Sequence, residues 1–163
     1  MERGDVTVDD GTAFAADDAY EDADPEELLE QAQSNAQALI VATVAFLDER
    51  GIPLDDWTAA IGSTFAKAWD DPGEWDAGEF LDAMLVNFRS LGAEVTSSTL
   101  GPDRAEATVA GFPDPDLCAM FGVDASRVAR YNDATAVIAT QQGITWSWQI
   151  EGDATRFVAT KGS

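Results

Sequence analysis

The chain has 163 residues, with 31 acids, 9 bases, a net charge of −22, no histidine and one cysteine. Those counts exclude a Ser-His-Asp triad, a Cys/His zinc site and an internal disulfide built from this chain alone. Such a charge repels nucleic acid and anionic membrane surfaces, so neither is expected as a partner.

The acidity is uneven: residues 1–30 carry 12 acids and one Arg, and the only lysines in the chain are Lys67 and Lys161. One explanation is a host with high internal salt, where dense carboxylates keep proteins soluble. Another is a basic partner protein. No stretch reaches the roughly 18 apolar residues that a membrane-spanning helix needs. The opening MERGDVTVDD has no apolar signal core, so a cytoplasmic location is expected.

Residues 1–24 read as a solvated acidic tail, with Asp9-Asp10, Asp17-Asp18 and Glu21-Asp22 repelling one another. One domain is expected over residues 25–163. Asp24-Pro25-Glu26-Glu27 has the chemistry of a helix start, and Gly51 and Pro53 end that helix. Asp55 or Asp56 opens a second helix, with Trp57, Ile61, Phe65, Ala68 and Trp69 on one apolar face. Asp76 caps a third, which aligns Phe80, Met84, Phe88 and Leu91 and stops at Gly92.

The Thr/Val-rich runs 93–100 and 105–112 flank Gly101-Pro102-Asp103-Arg104, which predicts a β-hairpin. Pro113 and Pro115 then stop the strand. Asp114 or Asp116 caps a short helix that carries Cys118 and Phe121 and ends at Gly122, and Asp124 caps another with Val128 and Tyr131. Three strands are expected to follow, over 134–141, 144–151 and 154–161. The second is the clearest: Ile144, Trp146, Trp148 and Ile150 alternate with Thr145, Ser147, Gln149 and Glu151, a period of two. The expected fold is α+β, with N-terminal amphipathic helices on one face of a four- to five-stranded, mainly antiparallel sheet.

No motif in the chain carries a chemistry by itself. Asp70, Asp71, Glu74, Asp76 and Glu79 are dense enough for a hard cation but lack EF-hand spacing, and read as a solvated loop. Cys118 reads as a small buried hydrophobe. Arg127 and Arg130 either pair with nearby carboxylates or orient the polar end of a ligand. Two tryptophans on one strand face form either a core wall or one side of a pocket.

The order of elements has a known counterpart. FLDAMLVNFRSLG precedes a hairpin, a proline turn and LCAMFGVD, and a polar strand ending in the turn Thr140-Gln141-Gln142-Gly143 leads into a last aromatic strand. Over about residues 40–151 this resembles the small-molecule-binding domain related to the 4-vinyl reductase and aminothiazoline-carboxylate hydrolase-like families, through Cys118, Asp124, Gly143 and the strand from Ile144. Members of that group usually carry further cysteines, where this chain has Asp114 or Asp116 and Trp146 or Trp148. The resemblance therefore implies a ligand-binding or sensory scaffold without catalysis, with an apolar cavity between helices and sheet and no cofactor.

Three functions follow as expectations. The first is a non-enzymatic domain for a small, largely apolar or aromatic ligand, lined by Trp146, Trp148, Tyr131, Phe121, Trp57 and Trp69, with Arg127 or Arg130 orienting it and Cys118 nearby. The second is an acidic interaction protein for a basic partner. The third is a degenerate cysteine-dependent hydrolase. The amphipathic helices also make a homodimer a candidate.

Overall fold

Capping chemistry sets the helix boundaries in the computed structural model, which describes residues 24–69 and 75–162. The acidic tail before Asp24, and Asp70, Asp71 and Glu74 of the carboxylate loop, lie outside the described residues. Helix α1 (Pro25–Arg50) starts where the Asp24 carboxylate accepts the Glu26 N–H at 3.0 Å. Helix α2 (Leu54–Ala66) has no side-chain cap, and Asp55 and Asp56 fall in its first turn, where the helix dipole favours them. Helix α3 (Ala77–Ser90) opens with a full capping box: Asp76 accepts the Glu79 N–H at 2.8 Å, and Glu79 accepts the Asp76 N–H at 3.1 Å.

Strands β1 (Glu94–Leu100) and β2 (Arg104–Ala110) form the expected hairpin. Helix α4 (Pro115–Phe121) is capped by Asp114, which accepts from the N–H groups of Asp116 and Leu117, and ends at left-handed Gly122 (φ 66°). Asp124 caps α5 (Ala125–Ala129). A single 3-10 turn, Arg130–Asn132, leads into α6 (Asp133–Gln141), and β3 (Ile144–Glu151) and β4 (Ala154–Lys161) close the chain.

The architecture is α+β, with a four-stranded antiparallel sheet in the order β1-β2-β4-β3. Register explains how its inner face holds large rings. Phe157 on β4 sits opposite Ala107 of β2, and Trp146 on β3 sits opposite Ala159 of β4, so each ring has a small neighbour across the strand. Phe80, Leu81, Met84, Leu85 and Phe88 of α3 and Ile138 of α6 complete this core. The other face is polar, with Arg156 and Arg104 both paired to Glu106. A second, smaller core holds Val41, Val44 and Leu47 of α1, with Leu54, Cys118 and Val128.

The aromatic rings run in one continuous file through these layers. Trp57 meets Tyr131 at 6.0 Å between ring centres, Tyr131 meets Phe112 at 5.9 Å, and Phe112 meets Phe88 at 6.1 Å. Phe88 stacks on Phe157 at 4.6 Å, and Phe157 on Trp146 at 5.2 Å. Trp146 lies edge-on to Phe80 at 5.8 Å, and Phe80 meets Trp69, which packs on Trp75 at 4.8 Å.

Two expectations are corrected. Residues 134–141 are not a strand but helix α6. Thr135, Val137, Ile138 and Thr140 suggest a strand by their branching, yet Ala134, Ile138 and Ala139 are the buried positions, a helical spacing. The packing of α6 on α2 overrides the local preference. That contact also corrects the face of α2. Its buried residues are Leu54, Thr58, Gly62 and Ala66, a small-residue stripe, while Phe65 and Ala68 are exposed. Gly62 is where the two helices come closest. A Cβ there would lie 2.5 Å from the Ala134 carbonyl oxygen and 2.7 Å from Val137 Cβ.

Gln37 ties α1 to the rest. Its side chain is buried, and it donates to the Leu91 carbonyl at 2.7 Å and the Gly111 carbonyl at 2.9 Å while accepting the Asp114 N–H at 3.0 Å. One amide thus holds the ends of α3 and β2 and the start of α4.

Two stability predictions follow from these contacts. Gly62→Ala should cost about 1–3 kcal/mol by overpacking against rigid backbone, read by urea unfolding; an unchanged midpoint would mean that α2 and α6 do not approach so closely. Gln37→Leu should cost about 1–3 kcal/mol, because three part-buried backbone groups lose their partner; a loss below roughly 0.5 kcal/mol would show that water replaces the amide.

Candidate functional site

A mostly apolar recess of about 330 Å³ lies inside the helical layer, between the end of α2, the second half of α3 and the start of α6. Phe65, Ala68 and Trp69 form one wall. Met84 and Phe88, both buried, form the floor on α3, with Asn87 and Ser90 exposed at the rim. Tyr131, Asn132, Thr135 and Ile138 close the third side.

Local sequence explains why the space is there. The buried stripe of α2 turns toward α6, and the exposed Phe65 beside it borders the recess. At the other wall the 3-10 turn runs directly into α6 and fixes the side chains of Tyr131 and Asn132. Asp133 anchors this junction: it pairs with Arg130 and accepts the Trp148 indole N–H at 2.9 Å.

Asn132 stands out among the lining residues. It is 1% exposed, and neither its amide nitrogen nor its amide oxygen has a hydrogen-bond partner. Buried polar groups are nearly always satisfied, so an orphaned amide on a cavity wall calls for a reason. Burial pushes the Tyr131 phenol above its ordinary range, so it stays neutral. Among the described residues no charged side chain lines the recess.

The residues singled out in the sequence are distributed as follows. Trp69 and Tyr131 line the recess. Trp57 is half-buried against Tyr131 and packs with the second core. Trp146 is locked between Phe80 and Phe157 in the main core, and Trp148 is half-buried and held by Asp133. Phe121 is 40% exposed on α4 and points away from the interior.

Arg127 pairs with Asp48 of α1, and Arg130 with Asp133 and with Asp55 of α2; both guanidiniums are held in their charged form by these bonds. Cys118 is 3% exposed in the second core. Burial, reinforced by Asp114 and Asp124, pushes its thiol up and keeps it protonated at neutral pH.

The recess is therefore built largely from residues that the sequence marked only as helix faces, namely Phe65, Met84 and Phe88, together with Ile138, which it placed in a strand. Asn132 carries no signal in the sequence at all. Phe65 had one: a bulky apolar residue beside Gly62 and Ala66 on α2.

Among the described residues no helix is long and apolar enough to cross a membrane, and no group of three or more His, Cys, Asp or Glu side chains is placed to hold a metal ion. No known protein-family model and no curated protein matches the chain. Fold and site together define a class, an α+β protein with a neutral, mostly apolar recess in its helical layer.

The Cys118 environment makes a direct prediction. Iodoacetamide at pH 7.5 should label Cys118 in the native protein far more slowly than in urea-unfolded protein, measured by intact mass. Comparable rates in the two states would contradict a buried, protonated thiol.

Proposed function

We propose that this protein is a non-catalytic binding or sensory domain for a small, uncharged, largely apolar ligand, held in the recess between α2, α3 and α6. The observation that carries this reading is the recess itself: about 330 Å³, walled by Phe65, Trp69, Phe88 and Tyr131, with Tyr131, Thr135 and Asn87 as polar groups. That volume and that mixture of apolar walls with a few polar groups are typical of small-molecule sites. A hydrolytic role for Cys118 has little support, since the thiol is buried, protonated and on a different core from the recess. The implied place for the ligand is within the helical layer rather than against Trp146 and Trp148.

An interaction role has support of a different kind. Leu39 and Phe46 on α1 are 70% and 49% exposed, Met120 on α4 is 76% exposed, and the net charge of −22 suits a basic partner. Either a partner or a second copy of the chain would cover this apolar surface.

Native mass spectrometry of freshly purified protein, paired with its denatured mass, tests both readings. The ligand reading predicts an added mass of roughly a few hundred daltons that is lost on denaturation. It also predicts that Ala68→Trp, which places an indole at the exposed mouth, abolishes the adduct while leaving the melting temperature within a few degrees. Bare protomer masses in wild-type protein would count against the ligand reading, and the same spectra report any dimer.

A further inference from the structure

We infer that the outward face of α1 is a self-association surface, on which a second copy of this chain docks its own α1 in the antiparallel direction. This gives the interaction role above its occupant. It does not rest on the ligand reading, since α1 contributes no residue to the recess.

The first observation is a strip of side chains. Helix α1 buries Gln37, Val41, Val44 and Leu47 against the rest of the protein. Leu28, Ala32, Asn35, Leu39, Ala42 and Phe46 recur at alternating steps of four and three residues, which lines them up on the side opposite Gln37, Val41 and Val44. That is the spacing of the seam in a two-stranded coil. Leu28 is 51% exposed, and Leu39 and Phe46 are the exposed side chains already named. Ala32 and Asn35 are exposed as well, and Ala42 is half-buried.

The second is the start of the helix. From Pro25 to Ala36 no residue of α1 is buried. Turns of helix without a packed face are marginal in water, so a covering surface stabilises them.

The third is charge, and it selects the occupant. Residues 31–47 hold no Asp, Glu, Lys or Arg, in a chain of net charge −22. A basic partner is drawn to carboxylates, which this face lacks. Two copies of an acidic chain repel each other, and they meet most easily where neither presents a charge. Apart from Leu29, the residues flanking the strip are small or neutral polar ones, Gln31, Ala36, Ala38, Thr43 and Ala45, so a second helix can approach closely.

Direction follows from the same residues. In an antiparallel pair about a two-fold axis, Leu28 of one copy meets Phe46 of the other, Ala32 meets Ala42, and Asn35 meets Leu39. Every residue of the strip then has a counterpart, as a symmetric interface requires. Arg50, which lies over the Phe46 ring at 5.2 Å, comes beside Asp24 and Glu27 of the second copy. A parallel pair instead sets Glu26, Glu27 and Glu30 of both copies side by side. Asn35 is the polar member of the strip, and its oxygen already accepts from the Gln31 amide at 2.8 Å, which lowers the cost of covering it.

The test is sedimentation velocity of the full chain from low to high micromolar concentration, at low salt and in about 1 M sodium chloride. The expected species is a reversible dimer of twice the 17.4 kDa protomer mass, and it tightens with salt as repulsion between the two acidic bodies is screened. Leu39→Glu should weaken it roughly tenfold or more, because the carboxylates of both copies fall close to the two-fold axis. Dilute Leu39→Glu should melt within a few degrees of dilute wild type, since Leu39 is exposed in the protomer. Ala32→Glu, on the same strip, should weaken the dimer too and guards against a folding defect in the first variant. For direction, an equimolar mixture of Leu28→Cys and Phe46→Cys chains is oxidised with diamide while the native Cys118 stays buried. Intact mass should show chiefly the mixed disulfide.

A protomer mass at every concentration overturns the inference and leaves the strip to a partner of different sequence. A dimer that both Glu variants leave unchanged, or that weakens with salt, overturns it as well. Disulfides that join Leu28→Cys chains to one another would mean a parallel pair and overturn the docking direction. None of these outcomes bears on the recess, whose ligand is read separately by the native and denatured masses.

Discussion

The continuous file of stacked and edge-on aromatic rings is the interaction on which the rest of this protein depends. It begins at Trp57 on α2, passes through Tyr131 and Phe112, crosses the sheet at Phe157 and Trp146, and returns through Phe80 to Trp69 and Trp75. Its rings come from α2, α3, β3, β4 and the segments between elements, so the file joins the helical layer to the sheet. Large rigid rings bury much apolar area at low cost in side-chain entropy, which suits a chain with few other large core residues on its sheet. Ala105, Ala107 and Ala159 make the complementary choice, leaving the space that the rings fill.

The recess follows from the path of that file. Tyr131 and Trp69 lie toward its two ends, Phe88 lies near its middle, and all three border the same space. Between them lies the recess, and α2 meets α6 most closely at Gly62. The file keeps the floor rigid while the walls come from three separate helices. A site of this kind is preorganised by the core instead of being assembled by loops, and it leaves little need for a ligand to order the chain.

Electrostatics has a positioning role around this core. Several carboxylates of the described residues act as helix caps and as partners for the few arginines. Asp24, Asp76, Asp114 and Asp124 cap helices, and Asp48, Asp55 and Asp133 each receive a guanidinium. Asp133 matters most, since its two oxygens join Arg130 to Trp148 and so fix the start of α6 against β3. Exposed pairs of this kind add little stability individually, but they set the register in which Tyr131 and Asn132 meet the recess.

The sequence by itself determined the local structure wherever one residue's chemistry decides it. Asp caps and terminal glycines marked the helix ends, turn residues marked the hairpins, and the alternation from Ile144 to Ile150 marked β3. The α+β class follows from those local signals. Three features were decided only by the tertiary structure. Residues 134–141 became α6 because α2 offers a small-residue groove that a helix fills, a contact between segments some seventy residues apart. The buried face of α2 was set by how closely backbones can approach, which rewards Gly62 and Ala66 over larger apolar neighbours. The recess depends on where three helices fail to meet, and the orphaned amide of Asn132 exists only because packing removed water from it without supplying a partner. Hydrophobic periodicity reports what is apolar along one element; it carries no information on the gap left between several.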